Sequence, residues 1–106
     1  MTVTALASSD WDERVLASAA PFLVGFWAEW CVPSRGLAST LEAVGERFGD
    51  ALRLGLVDVA SQPGLAERCD IQGLPTLMLL REGREALRRI GLLTSEDLVA
   101  LLEARL

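Results

Sequence analysis

The segment between residues 26 and 35 reads Phe26-Trp27-Ala28-Glu29-Trp30-Cys31-Val32-Pro33-Ser34-Arg35. It joins an apolar run over residues 21–28 to a pattern typical of an amphipathic helix, with Pro33 suited to the first turn. Cys31 therefore lies where a strand ends and a helix begins. Unpaired backbone N–H groups and the helix dipole favour the thiolate form of a cysteine in such a place. We expect Cys31 to be a nucleophile at the start of a long helix.

Hydrophobic periodicity and turn residues predict an alternation of strands and helices along the rest of the chain. Glu82-Gly83 is typical of a hairpin turn, and Thr94 with Asp97 forms a helix-capping pattern. The expected elements are a helix over residues 10–18 capped by Ser8 or Ser9, a strand over 22–28, a helix running from the thiol to Phe48, a strand over 52–59, a short helix over 63–69, a hairpin with strands over 76–80 and 84–90, and a final helix after Thr94. Such an alternation predicts an α/β fold with parallel strands, to which the hairpin adds an antiparallel part.

Length and composition favour a single domain over residues 1–106. The hydrophobic content of 51% is ample for one core, and no linker or repeat divides the chain. The net charge is −5 with both signs interspersed, which argues against a nucleic-acid partner. No basic segment precedes an apolar signal sequence, and no apolar run reaches the roughly 20 residues of a membrane helix. We therefore expect a cytoplasmic protein without a membrane partner.

The absence of two residue types narrows the chemistry. All ten basic residues are arginine, so neither histidine nor lysine is available as a base, a nucleophile or a metal ligand. Cys31 and Cys69 cannot complete a four-ligand zinc site without carboxylates or a second chain. We expect no metal and no cofactor, which leaves thiol chemistry as the favoured covalent catalysis. The hairpin arginines are interpreted as exposed charges: Arg81, Arg84, Arg88 and Arg89.

The segment around Cys31 resembles the active site of thioredoxins, which reads Trp-Cys-Gly-Pro-Cys-Lys. Leu74-Pro75-Thr76 resembles the cis-proline loop of the same family, and its spacing from Cys31 is kept. The resemblance implies a thioredoxin fold, with a central mixed sheet of four to five strands flanked by four helices. It also implies that Leu74 offers its backbone to an extended substrate segment. The substrate-binding positions that it implies are Trp30, Val32, Pro33, Leu74, Pro75 and Gly91.

Three positions depart from the thioredoxin pattern. Ser34 stands in place of the second cysteine, which in the dithiol mechanism attacks the mixed disulfide and releases the reduced substrate. Gly25 stands where thioredoxins usually bury an aspartate, and Leu56 where they usually carry a lysine. Because the aspartate is thought to accept a proton from the second cysteine, the three differences form one consistent loss. We expect a thiol–disulfide oxidoreductase that acts through Cys31 in a monothiol mode, by mixed-disulfide exchange, isomerisation or deglutathionylation.

The expected partners are disulfide-containing or glutathionylated proteins together with a reducing thiol or reductase, and the chain is expected to be a monomer. Three alternatives stay open. The first is a trapping variant of a dithiol protein-disulfide reductase, with serine introduced at position 34. The second is a peptide-binding module without catalysis, whose groove is formed around Trp30, Leu74, Pro75 and Gly91. The third is a redox sensor that responds through Cys31 or Cys69.

Cys69 is the other thiol of the chain and has two interpretations. It lies at the end of the short helix over residues 63–69, where a small core residue is the simpler interpretation. As a secondary redox thiol near the active-site face, it could be glutathionylated or could bridge two chains. We expect it to lie too far from Cys31 to resolve a mixed disulfide, since a disulfide requires Cα atoms within about 7 Å.

Overall fold

A computed structural model describes residues 3–106 of the chain. Its strands are β1 (Val3–Ala5), β2 (Phe22–Trp27), β3 (Arg53–Asp58), β4 (Thr76–Arg81) and β5 (Arg84–Ile90). Within the described residues they form one five-stranded sheet in the order β1-β3-β2-β4-β5. The first three strands of that order run parallel, while β4 and β5 are antiparallel to their neighbours. The predicted mixed sheet is confirmed.

In the described part of the chain, four helical segments flank the sheet. They are a π-helical segment (Trp11–Leu16), α1 (Leu37–Phe48), α2 (Pro63–Arg68) and α3 (Ser95–Glu103). Short 3₁₀ turns precede the π-helical segment, follow the thiol and follow α1. Along the part of the chain that the structure describes, no helix combines the length and apolar character that crossing a bilayer requires.

The sheet separates two hydrophobic clusters. One face packs against the π-helical segment and α2, and its cluster contains the aromatic core residues Trp11, Phe22 and Phe26. The other face packs against α1 and α3, and its buried residues are almost all leucines. Residues on β2 contribute to both clusters because successive side chains of a strand point to opposite faces. This double coverage explains why β2 reads as a nearly continuous apolar run.

The first helix differs from the prediction in type and in cap. Neither Ser8 nor Ser9 provides the side-chain cap: the Asp10 carboxylate accepts a hydrogen bond of 2.8 Å from the Ala7 N–H. The backbone N–H and the hydroxyl of Ser8 instead lie 3.0 and 3.2 Å from Oε1 of Gln62. Ser8 therefore connects the start of the helical segment to the loop before α2. Local sequence patterns cannot predict this contact, because the two residues are far apart in the chain.

The helix after the thiol begins later than expected. Cys31 precedes a 3₁₀ turn (Val32–Ser34), and α1 begins only at Leu37. The expectation that Cys31 directly caps the long helix is therefore wrong. The hydroxyl of Ser34 lies 2.8 Å from the Cys31 carbonyl oxygen, and serine side chains that bond to nearby backbone groups compete with helix formation.

Two local predictions are confirmed in detail. Glu82 and Gly83 have φ values of 53° and 77°, as the tight turn of a two-residue hairpin requires. A Cβ atom on Gly83 would lie 2.9 Å from the Leu16 carbonyl oxygen, so this turn packs closely on the π-helical segment. At α3, the Asp97 N–H donates to Thr94 Oγ1 at 3.0 Å, which is the predicted cap.

Candidate functional site

The thiol of Cys31 lies just beyond the end of β2, between two exposed apolar side chains. Trp30 and Val32 are 69% and 66% exposed, whereas Cys31 itself is half-buried. Its Sγ lies 3.9 Å from the carbonyl oxygen of Leu74, to which the thiol can donate a weak hydrogen bond. The structure thus brings together two segments that are 43 residues apart in sequence.

The Leu74–Pro75 peptide bond is cis. The Gly91 N–H donates to the Pro75 carbonyl at 2.8 Å, so the loop after β5 is attached directly to the proline turn. Pro75 is buried while Leu74 is half-exposed. Of these two residues, Leu74 therefore has the side chain and backbone that a bound segment can reach, and Pro75 shapes the turn beneath it.

A groove of about 510 Å³ opens beside the thiol. Trp30, Cys31 and Leu74 line one side of it, as the sequence predicts. The remaining lining residues come from the end of β3, from α2 and from the loop after α2: Val59, Pro63, Ala66, Ile71, Gln72 and Gly73. These six residues are missing from the prediction, because nothing local in the chain shows that α2 lies against the thiol.

Ser34 is buried, with 1% of its surface exposed. Its Oγ lies 3.1 Å from the Ala28 nitrogen, 2.9 Å from the Ala28 carbonyl oxygen and 2.8 Å from the Cys31 carbonyl oxygen. A hydroxyl group has one proton and two lone pairs, so it accepts from the Ala28 N–H and donates to one of the two carbonyls. The position of the resolving cysteine is thus filled by a fully hydrogen-bonded hydroxyl.

Leucine side chains surround Gly25, which stands in place of the usual acid, and Leu56 stands in place of the usual lysine. Gly25 and Leu56 are paired across β2 and β3, so the two departures noted in the sequence are neighbours in space. A Cβ atom on Gly25 would approach Leu37 and Leu41 closely, because these leucines pack directly onto the glycine. The space near Gly25 is therefore apolar and occupied.

Cys69 lies at the end of α2 and belongs to the aromatic-side hydrophobic cluster. Burial raises the pKa of the Cys69 thiol, although Arg88 and Arg68 act in the opposite direction. It lines a groove separate from that of Cys31, and the two grooves have Gln72 in common. These surroundings favour the interpretation of Cys69 as a core residue.

Arg88 connects the end of α2 to β5. Its guanidinium donates to the Cys69 carbonyl at 2.7 Å, to the Asp70 carbonyl at 2.9 Å and to the Glu85 carboxylate. This side chain is 25% exposed, so the interpretation of Arg88 as a solvated hairpin charge is wrong. The Arg88 guanidinium also lowers the pKa of the Glu85 carboxyl, chiefly by hydrogen bonding to it.

The chain matches the Thioredoxin family model over residues 2–104. It is 33% identical over 101 residues to a thioredoxin of Acidithiobacillus ferridurans, covering 95% of this chain and 94% of the relative. With a thioredoxin of Rhodospirillum rubrum it shares 32% identity over 99 residues, covering 93% and 95% respectively.

Among solved structures, chloroplastic thioredoxin z superposes with a TM-score of 0.88 at 27% identity, covering 98% of this chain and 94% of that one. The crystal structure of thioredoxin z defines a type-specific target recognition for that protein. The family model, the two relatives and the fold agree with the arrangement of Cys31 beside the Leu74–Pro75 turn. The chain is therefore a redox protein that belongs to the thioredoxin family.

Proposed function

We propose that the chain performs thiol–disulfide exchange through Cys31 in a monothiol mode. The observation that carries the proposal is the pairing of a half-exposed Cys31 thiol, at the mouth of an apolar groove, with a serine hydroxyl at the position of the second thiol. The substrates are disulfides of proteins, or glutathione adducts of proteins, that dock as extended segments beside Leu74.

The reaction balances without a cofactor. The Cys31 thiolate attacks one sulfur of the substrate disulfide, a Cys31–substrate disulfide forms, and the other substrate sulfur leaves as a thiolate. Ser34 cannot take the next step, because an alcohol is not ionised near neutral pH. An outside thiol, or another thiol of the substrate, then attacks the mixed disulfide and Cys31 leaves as a thiolate. Isomerisation and deglutathionylation fit this sequence, and we propose the cytoplasm as its location.

The packing around Gly25 supports a monothiol protein over a trapping variant of a dithiol reductase. A substitution of one cysteine alone would leave the buried acid of a dithiol thioredoxin in place. Here Leu37 and Leu41 occupy the space next to Gly25, and Leu56 lies beside it on β3. These leucines lie on α1 and on β3, so the apolar filling is not the consequence of a single exchange at position 34.

The experiment that tests the proposal follows covalent adducts by intact-mass spectrometry. The reduced protein is mixed with a disulfide-linked dimer of a short valine-rich peptide that contains one cysteine. We expect one peptide adduct, located at Cys31, that persists until glutathione is added. Cys69→Ser is the matched control and is expected to form the same adduct, whereas Cys31→Ser is expected to form none.

Two other results would contradict the proposal in different ways. A wild-type protein that binds the peptide without forming an adduct would favour the peptide-binding module. An adduct that the wild type releases without an added thiol, but that Cys69→Ser retains, would show that Cys69 acts as a resolving thiol.

A further inference from the structure

The hydroxyl of Ser34 joins the two ends of the loop that carries the nucleophile. Ala28, the first residue after β2, is fully buried and directs both its N–H and its carbonyl oxygen at this hydroxyl. The third partner is the carbonyl oxygen of Cys31 itself. A single buried side chain therefore contacts the backbone at the start of the loop and at the nucleophile.

Backbone hydrogen bonds complete the same network. The Cys31 N–H donates to the Ala28 carbonyl at 3.1 Å, and the Ser34 N–H donates to the Cys31 carbonyl at 3.0 Å. Each carbonyl thus keeps a backbone donor, whichever of them receives the hydroxyl proton. The Ala28 N–H depends on the side chain, because its bond in this network is to Ser34 Oγ. Leaving a buried N–H without this partner carries a free-energy cost.

A thiol would make these contacts more weakly. Sulfur is larger than oxygen and is both a weak donor and a weak acceptor of hydrogen bonds. The three distances of 2.8–3.1 Å around Oγ are those of ordinary oxygen hydrogen bonds. The surroundings of position 34 therefore suit the hydroxyl of serine better than the thiol of cysteine.

We propose that Ser34 is a positioning residue for Cys31: its hydroxyl fixes the Cys31 backbone and thereby the direction in which the thiol meets a substrate. The proposal rests on the proposed exchange reaction at Cys31. The hydroxyl holds the Ala28 N–H at one end of the loop and lies against the Cys31 carbonyl at the other, and the target of this restraint is the placement of Sγ beside the Leu74 carbonyl. Ser34 thus contributes to the first step of the reaction, although its hydroxyl cannot carry out the second.

The test compares two serine-to-alanine variants, Ser34→Ala and Ser18→Ala. Ser18 is the matched control because it is also buried and its hydroxyl also donates to a backbone carbonyl, that of Ala20 at 2.8 Å. Both substitutions remove one oxygen atom and introduce no clash. The readout is the second-order rate constant for adduct formation at Cys31 with the disulfide-linked peptide dimer.

We expect Ser34→Ala to lower this rate constant about tenfold, because the buried hydrogen bonds that orient Cys31 are lost. Ser18→Ala is expected to leave the rate constant unchanged. Alkylation of Cys69 in the same molecules reports general loosening of the fold and is expected to stay unchanged in Ser34→Ala. Ser34→Thr keeps the hydroxyl and is expected to react faster than Ser34→Ala.

The results separate this proposal from the proposed function. Equal rate constants at Cys31 in the wild type and Ser34→Ala would overturn the positioning role and leave monothiol exchange standing. A slower Cys31 accompanied by faster alkylation of Cys69 would also overturn it, since the substitution would then act on the whole fold. A wild-type protein in which Cys31 forms no adduct would overturn both.

Discussion

The Cδ2 atom of Leu37 lies 2.6 Å from the position that a Cβ atom on Gly25 would occupy. Real Cβ atoms do not approach a neighbour so closely, and Leu37 is only 6% exposed. A side chain at position 25 therefore has to displace the side chain of Leu37 at the start of α1. The chain therefore lacks the carboxyl group at position 25, and leucine packing also leaves no room for one.

This contact predicts that Gly25→Ala lowers the free energy of unfolding. We expect a loss of about 1–3 kcal/mol, because an added carbon overpacks a filled core. Gly25→Asp is expected to cost more, since it also buries a carboxyl group among leucine side chains. Urea unfolding followed by circular dichroism measures both differences.

Gly64→Ala is the control for this prediction. Gly64 lies in α2, and a Cβ atom there would meet nothing within 4 Å. We expect this substitution to leave the stability unchanged or to raise it by up to about 1 kcal/mol, as alanine favours helix more than glycine does. Equal losses at the two glycines would contradict the packing argument.

Ser34→Cys is expected to change the fate of the mixed disulfide. A thiol at position 34 can attack the Cys31–substrate disulfide, so the adduct should no longer accumulate and the reduced peptide should be released. The measurement is the intact mass of the protein during reaction with the disulfide-linked peptide dimer, because resolution leaves an internal disulfide between Cys31 and the new thiol, whereas a slower first step leaves the protein reduced. Ser18→Cys, which adds a thiol at the other buried serine, is the control and should accumulate adduct as the wild type does. An equal amount of adduct in Ser34→Cys and the wild type would rule out this mechanism.

The burial of Cys69 predicts a change of stability at alkaline pH. Burial raises the pKa of this thiol in the folded protein, so the folded state holds the proton more tightly than the unfolded chain. The resulting contribution to stability is complete below the pKa of the unfolded thiol, about 8.5, and is lost as the pH rises through the higher pKa of the folded state.

The measurement for Cys69 is the free energy of unfolding against pH under reducing conditions, in the wild type and in Cys69→Ala. We expect the wild type to lose more stability than the variant between neutral and alkaline pH. The comparison uses the slope of the free energy of unfolding against pH, because the substitution itself changes that free energy by a constant amount at every pH. Parallel curves would mean that the Cys69 thiol has the same pKa in the folded and unfolded states.

Arg88 is expected to stabilise the segment that leads from α2 to the proline turn. Arg88→Lys removes the fork that reaches the Cys69 and Asp70 carbonyls together, and we expect a loss of about 1–2 kcal/mol in stability. Faster alkylation of Cys69 should accompany it, because local opening exposes the thiol. Arg89→Lys is the matched control: Arg89 is exposed and its guanidinium reaches the adjacent Arg88 carbonyl. Similar effects of both substitutions would contradict the assigned role of Arg88.

The sequence predicts those elements whose signals are local. The strand over residues 84–90 has the predicted bounds, β2, α2 and β4 differ from the prediction by one residue at one end, and β3 is one residue shorter at each end. The hairpin turn and the α3 cap depend on residues within a few positions of one another, which explains their agreement. By contrast, β1 is absent from the prediction, because three residues are too few to show a periodic pattern.

Helix type and helix start follow from contacts that the sequence pattern does not contain. The amphipathic period of residues 37–48 is correct for α1, but the same pattern extends the predicted helix back to Cys31. The Ser34 hydroxyl and the 3₁₀ turn separate the thiol from α1, and no periodicity reports that separation. Similarly, the groove wall from α2 and the bonds of Arg88 join distant parts of the chain. The sequence motifs predict the residues at the centre of the candidate site, whereas the residues that line its groove can be identified only from the three-dimensional structure.

The three tryptophans occupy three different environments. Trp11 is 3% exposed in the aromatic-side cluster, Trp27 packs partly against the leucine-rich cluster, and Trp30 is 69% exposed beside the thiol. An indole in water emits at longer wavelength than one in an apolar core, so the red edge of the emission belongs mainly to Trp30. Occupation of the groove would shift this edge while the core signal stays constant. Trp30 is thus an intrinsic fluorescence probe for binding next to the Cys31 thiol.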